Sequence, residues 1–175
     1  MTPNPNIRLQ SLVHTLEQVI FPAVDPANSL ANEQCGLVLA QLRMLIRQMP
    51  YIGDYHAMCL DDIRHTIDDL PEAKGGALTS AAARKLRATR DEVKDTANPA
   101  AAYQLLGKAF EALLRAAAED GDVHYRDRLE HAAFAFSRRQ ASRERVWFKD
   151  AGFDPHPEEV PELEEMFAKA QENVS

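Results

Sequence analysis

Apolar residues recur along this chain at steps of three and four, the spacing that stacks side chains on one face of an α-helix, and nowhere show the alternation of a half-buried strand. The first such segment, residues 7–21, carries Leu9, Leu12, Leu16, Val19 and Ile20. It should stop near Pro22, since the two prolines of FPAVDP cannot continue a helix. A second segment begins at an Asn28 or Ser29 cap and runs to about Met49, where Pro50 and Gly53 break the pattern. Asp54 is placed to cap a third, ending near Leu70 before Pro71. After the flexible turn KGGALTS comes a weakly apolar fourth segment, residues 79–95. Asn98 and Pro99 then open a fifth that runs to about Glu119. Asp122 caps a sixth, which extends to about Asp150 with Gly152 as its stop, and Val160, Leu163 and Phe167 mark a short seventh.

Long amphipathic segments joined by short turns predict an all-α fold: an antiparallel helical bundle of four or five main helices with a short C-terminal helix. Residues 1–153 are expected to form a single bundle domain, and residues 154–175 an acidic tail with a short amphipathic helix.

The second segment departs from a simple surface helix, because its apolar side chains cover more than half the circumference. Leu30, Leu37, Val38, Leu42, Leu45, Ile46 and Met49 are therefore expected in the core. Gln34, Gln41 and Gln48 recur every seven residues within this arc. They either border the core and bond to nearby loops or line a subunit interface, where buried polar groups fix register.

Charge modifies this picture. The net charge of −7 is uneven: residues 1–72 carry nine acids and four Lys/Arg, residues 73–153 eleven and fifteen, and residues 154–175 seven and one. The basic middle is the natural counter-surface for the acidic tail. Without aromatic interleaving it does not suggest nucleic-acid binding. No apolar run reaches the length of a membrane span, and MTPNPNIRLQ lacks a signal-peptide pattern, so a cytoplasmic protein is expected. Cys35 and Cys59 share no metal or redox spacing and read as buried free thiols.

Candidate chemistry concentrates in DYHAMCLDDIRHTIDDL, residues 54–70. Cys59, Leu60, Ile63 and Ile67 share a face with His56, whereas His65 lies on the opposite face, so the two histidines cannot jointly hold one metal from this helix. Asp62 and His65 have the carboxylate-x-x-His spacing of di-iron bundles, but a second pair is missing. A metal site would need His14 and His131 to join them. Asp25, Glu33 and Asp62 could converge as acid–base carboxylates, although helix caps are the usual role of such residues. No nucleophile elbow, phosphate loop or zinc motif occurs, and no cofactor is expected.

In the sixth segment Gln140 and Arg143 interrupt the apolar line of Tyr125, Leu129, Ala132, Ala133, Phe136 and Trp147. Either the helix leaves the core after Phe136, or these groups line a cleft where Arg143 and Trp147 hold an anionic or planar ligand. A ligand site would then draw on Gln41, His56, Arg143 and Trp147.

The stretch LEQVIFPAVDPANSLANEQCGLVLAQLRML, residues 16–45, resembles the start of small uncharacterised bacterial helical proteins with an E-x-V-x-x-P-A element. Such proteins are encoded near phosphotransferase-like kinases and acyl-CoA dehydrogenases. The resemblance implies a metabolic accessory or small-molecule-binding role and carries no functional residue with it. The sequence thus points to a helical accessory or binding protein that engages a protein partner or a second copy. A metal-dependent bundle enzyme and an acyl or aromatic carrier or sensor are the alternatives.

Overall fold

The computed structural model describes residues 4–172, and the last three residues of the acidic tail lie outside it. The fold is all-α, with eight α-helices among the described residues: α1 (Pro5–Thr15), α2 (Phe21–Ala23), α3 (Ser29–Gln48), α4 (Ile52–Asp68), α5 (Ala77–Glu92), α6 (Pro99–Asp120), α7 (Val123–Trp147) and α8 (Leu163–Glu172). No helix among the described residues is long and apolar enough to cross a membrane. The chain divides into two compact units, one formed by residues 1–52 with 144–175 and the other by residues 53–143.

Local chemistry sets most helix ends. Asn28 and Asn98 accept hydrogen bonds from the amides of Ala31 and Ala101, and Asp122 accepts from those of His124 and Tyr125. Each satisfies a donor that the first turn leaves without an intrahelical partner. Asp54 is not the cap expected of it. A 3-10 turn, Met49–Tyr51, runs directly into α4, which leaves Asp54 inside the first turn, where its charge favours the helix dipole. Between α1 and α2 the ladder widens into one π turn, Leu16–Ile20, just ahead of Pro22.

The unit of residues 53–143 has a conventional core. Leu60, Ile63 and Ile67 of α4, Ala83 and Leu86 of α5, Leu106, Phe110 and Leu113 of α6, and Tyr125 and Leu129 of α7 form one buried cluster. Phe110 meets Phe136 edge to face at 6.5 Å. The GG turn does more than reverse the chain. Asp120, at the end of α6, accepts from the amides of Leu78 and Thr79 and from the Thr79 hydroxyl, so it caps α5 from 41 residues away. Gly75 has φ +153°, and a Cβ there would approach both the Asp120 carbonyl and the Gly121 Cα to 2.8 Å. Only glycine fits where the two backbones meet.

The unit of residues 1–52 and 144–175 is built differently. Val160, Leu163 and Phe167 are buried, and the Phe167 ring stacks on Tyr51 at a centroid distance of 4.7 Å. Arg47 binds Asp150 through both carboxylate oxygens and also reaches Glu162 and Glu164. Lys149 donates to Glu162 and to the Val160 carbonyl. Arg145 forks onto Asp154 at 2.7 and 3.0 Å. The acidic C-terminal segment is therefore held by three cations, two of them from the basic stretch that charge alone suggested.

Candidate functional site

The α3 helix carries two apolar stripes. Leu39 and Met44 are buried and Leu42 and Ile46 half-buried, but Leu30, Leu37, Val38 and Leu45 are 66%, 46%, 48% and 45% exposed. These four were expected in the core, and that expectation is corrected. The wide apolar arc is a core stripe plus a second stripe turned to solvent. Gln34 and Gln41 are exposed on the second stripe, whereas Gln48 is buried and donates to the Trp147 carbonyl at 2.6 Å. Of the three glutamines, only Gln48 bonds a neighbouring segment in the way a core-bordering residue would.

The outward stripe is a palindrome. Read from residue 30 to 45, its exposed members run Leu30, Gln34, Leu37, Val38, Gln41, Leu45, with spacings of 4, 3, 1, 3 and 4. At 3.6 residues per turn, all six fall within an arc of roughly 100°. A second α3 laid antiparallel, with a two-fold axis between residues 37 and 38, would set Leu30 against Leu45, Gln34 against Gln41 and Leu37 against Val38. Apolar groups then meet apolar groups, and each amide, being both donor and acceptor, meets another amide.

The second cluster lies on α4 and α7. The Asp62 side chain, 11% exposed, accepts from Arg139 Nε at 2.7 Å and from Arg143 Nη2. Arg139 also donates to the Thr66 hydroxyl, and Arg143 to Gln140 Oε1 at 3.0 Å, while Gln140 Nε2 reaches the Tyr55 hydroxyl. Asp62 is thus tied to two guanidiniums, and these bonds, with those of Gln140 to Arg143 and Tyr55, give partners to the polar groups on an otherwise apolar line. Arg143 Nε is buried without a hydrogen-bond partner among the described residues. Cys59 is buried beside this network. Desolvation pushes its thiol pKa up against the opposing pull of Arg143, Gln140 and Tyr55, which leaves it protonated and a poor nucleophile at neutral pH.

His65 and His131 each turn Nδ1 to the carbonyl one turn back, Asp61 and Asp127, at 2.7 Å. His14 is exposed on α1, and His56 is half-buried with its ring edge toward Tyr55. Trp147 is half-buried at the end of α7. Among the described residues, the one group of three metal-ligating side chains within reach of one another is His156, Glu158 and Glu159, all exposed and none of them a candidate from the sequence. Sequence reasoning missed Arg139 and Arg47. The available signal for Arg139 was its i,i+4 spacing from Arg143, which presents two cations on one face. Comparison of the chain with protein families, with curated proteins and with solved structures returns no match.

Proposed function

We propose that this protein is a helical accessory or binding protein that works as a homodimer through the outward face of α3. The observation that carries this reading is the palindrome Leu30, Gln34, Leu37, Val38, Gln41, Leu45, an uncharged face complementary to its own copy. Isologous interfaces require such self-complementarity, and the residues nearest the two-fold axis contribute twice. Binding rather than catalysis is further supported by the state of the reactive groups. Asp62 is committed to arginines, and Cys59 is kept as a thiol. The resemblance of residues 16–45 to small bacterial helical proteins adds the expectation of a place in metabolism.

Six side chains per subunit make a stripe smaller than a standard interface of about 800 Å² per partner, so the equilibrium should be concentration-dependent, with a dissociation constant on the order of micromolar. Sedimentation equilibrium tests this. The wild-type chain is expected to pass from monomer to dimer with concentration. The double substitution Leu37→Glu and Val38→Glu, which places four carboxylates about the axis, should remain monomeric with an unchanged circular dichroism spectrum. A wild-type chain that is monomeric at all concentrations, or a variant that still dimerises, rules the reading out.

A further inference from the structure

The unit of residues 53–143 contains a half-enclosed cavity of about 300 Å³ that takes no part in the α3 face. Its lining mixes apolar side chains, Leu70 and Ala73 among them, with the charged groups of Asp68, Arg87, Arg90 and Asp91. Three features point to a ligand. Tyr125 lines the cavity with its ring buried (the residue is 4% exposed), and its hydroxyl, open to the cavity, makes no hydrogen bond among the described residues. Burial raises the pKa of this phenol, so at neutral pH it is held as a donor. Arg87, which acts electrostatically on Tyr125, also lines the cavity and has no carboxylate partner among the described residues. By contrast, Arg90 is forked onto Asp68 at 2.9 and 2.6 Å, so that cation and that carboxylate cancel. Asp91, the other acid of the rim, is 79% exposed and lies 3.9 Å from the Arg90 guanidinium. The groups without a protein partner are therefore one guanidinium and one phenol donor, beside the half-buried side chains of Leu70 and Ala73.

We infer that this cavity is a binding site for a small organic carboxylate with a compact apolar body, of the size of a single-ring aromatic or short aliphatic acid. The carboxylate would sit on the planar guanidinium of Arg87, which can donate two parallel hydrogen bonds, and take a third from Tyr125. The body would lie against the half-buried side chains of Leu70 and Ala73. The volume is at the lower edge of small-molecule sites, which favours a compact ligand. Convergent polar groups beside apolar side chains are a common make-up of binding pockets.

The test is isothermal titration of the full chain with benzoate and hexanoate, alongside benzamide and benzylamine as neutral and cationic counterparts and inorganic phosphate as an anion without an apolar body. At least one of the two acids is expected to bind. Arg87→Ala, which removes an exposed side chain with no ion pair, should weaken that binding about tenfold without changing the melting temperature. Tyr125→Phe, which keeps the ring in the core, should weaken it about threefold. The inference is overturned if neither acid binds at millimolar concentration, if Arg87→Ala binds as well as wild type, if benzamide or benzylamine equals benzoate, or if phosphate does. Because none of these residues lies on α3, the outcome is separate from that of the dimer experiment.

Discussion

The two units of this chain solve the problem of burying apolar surface in opposite ways. Fourteen of the twenty buried apolar residues among the described ones lie in residues 53–143, where every helix contributes to one core. Eleven of the fifteen exposed large apolar residues lie in the other unit, from Ile7 on α1 to Phe153 near the C-terminal segment. That unit is closed by Arg47, Lys149 and Arg145 holding carboxylates at the surface, and exposed ion pairs contribute little net stability. A unit with its own core can stand alone. One held by surface charge with its greasy face outward is the one expected to take a partner.

The contrast can be broken at three places. Leu106 is 0% exposed, so Leu106→Ala should cost about 2–5 kcal/mol through lost transfer energy and the cavity left behind. Thermal denaturation followed by circular dichroism would register this as a drop of many degrees. A loss no larger than that of an exposed leucine would mean the core is not where stability resides. Asp62→Asn should come next, at about 1–3 kcal/mol, because Arg139 and Arg143 lose a charged acceptor while Arg143 stays mostly buried. Arg143 is therefore a structural partner, and Arg143→Ala is not the silent change that a cleft-lining residue would give. Urea titration of Asp62→Asn checks this; an unchanged midpoint would show the network to be neutral.

The smallest effect belongs to the other unit and appears on acidification. Arg145, with help from the His156 amide, holds Asp154 down to about 2 against an ordinary 3.8, and Lys149 and Arg47 hold Glu162 at about 2 against 4.5. In both cases the folded form binds fewer protons than the unfolded one between these limits, so stability rises with pH there. The contribution is complete above pH about 4.5 and fades as the pH falls toward about 2. Protection factors against hydrogen exchange along residues 149–164 should fall as the pH drops through that window. Unchanged protection would sever the C-terminal segment from its cations.

Helix positions were legible in the sequence because caps and prolines act locally: Asn28, Asn98 and Asp122 do what their residue types dictate. The direction in which an apolar stripe faces was not. Leu37 and Leu39 are equally apolar, and only the packed helix decides that one is 46% and the other 8% exposed. The polar network was half legible. Gln140 and Arg143 stood out as breaks in a stripe, but Asp62, the partner of Arg143, lies 81 residues back and Tyr55, a partner of Gln140, 85 back, beyond any local pattern. The cap that Asp120 supplies to α5, and the cavity beside Arg87 and Tyr125, are likewise products of chain segments far apart in sequence.

Arg47 lies 103, 115 and 117 residues before Asp150, Glu162 and Glu164. All of residues 53–143 must be synthesised before any of these acids exists. The self-cored unit is complete when residue 143 emerges, whereas the first-made segment waits longest for its closing contacts. Closing a loop of 117 residues rather than the 26 between Glu17 and Arg43 adds about 1 kcal/mol of chain entropy, since the cost grows only with the logarithm of length. The delay is thus one of timing more than energy. Until residues 150–164 are made, the apolar segment ahead of residue 53 stays open, and Gln34 and Gln41 interrupt what would otherwise be an unbroken sticky surface.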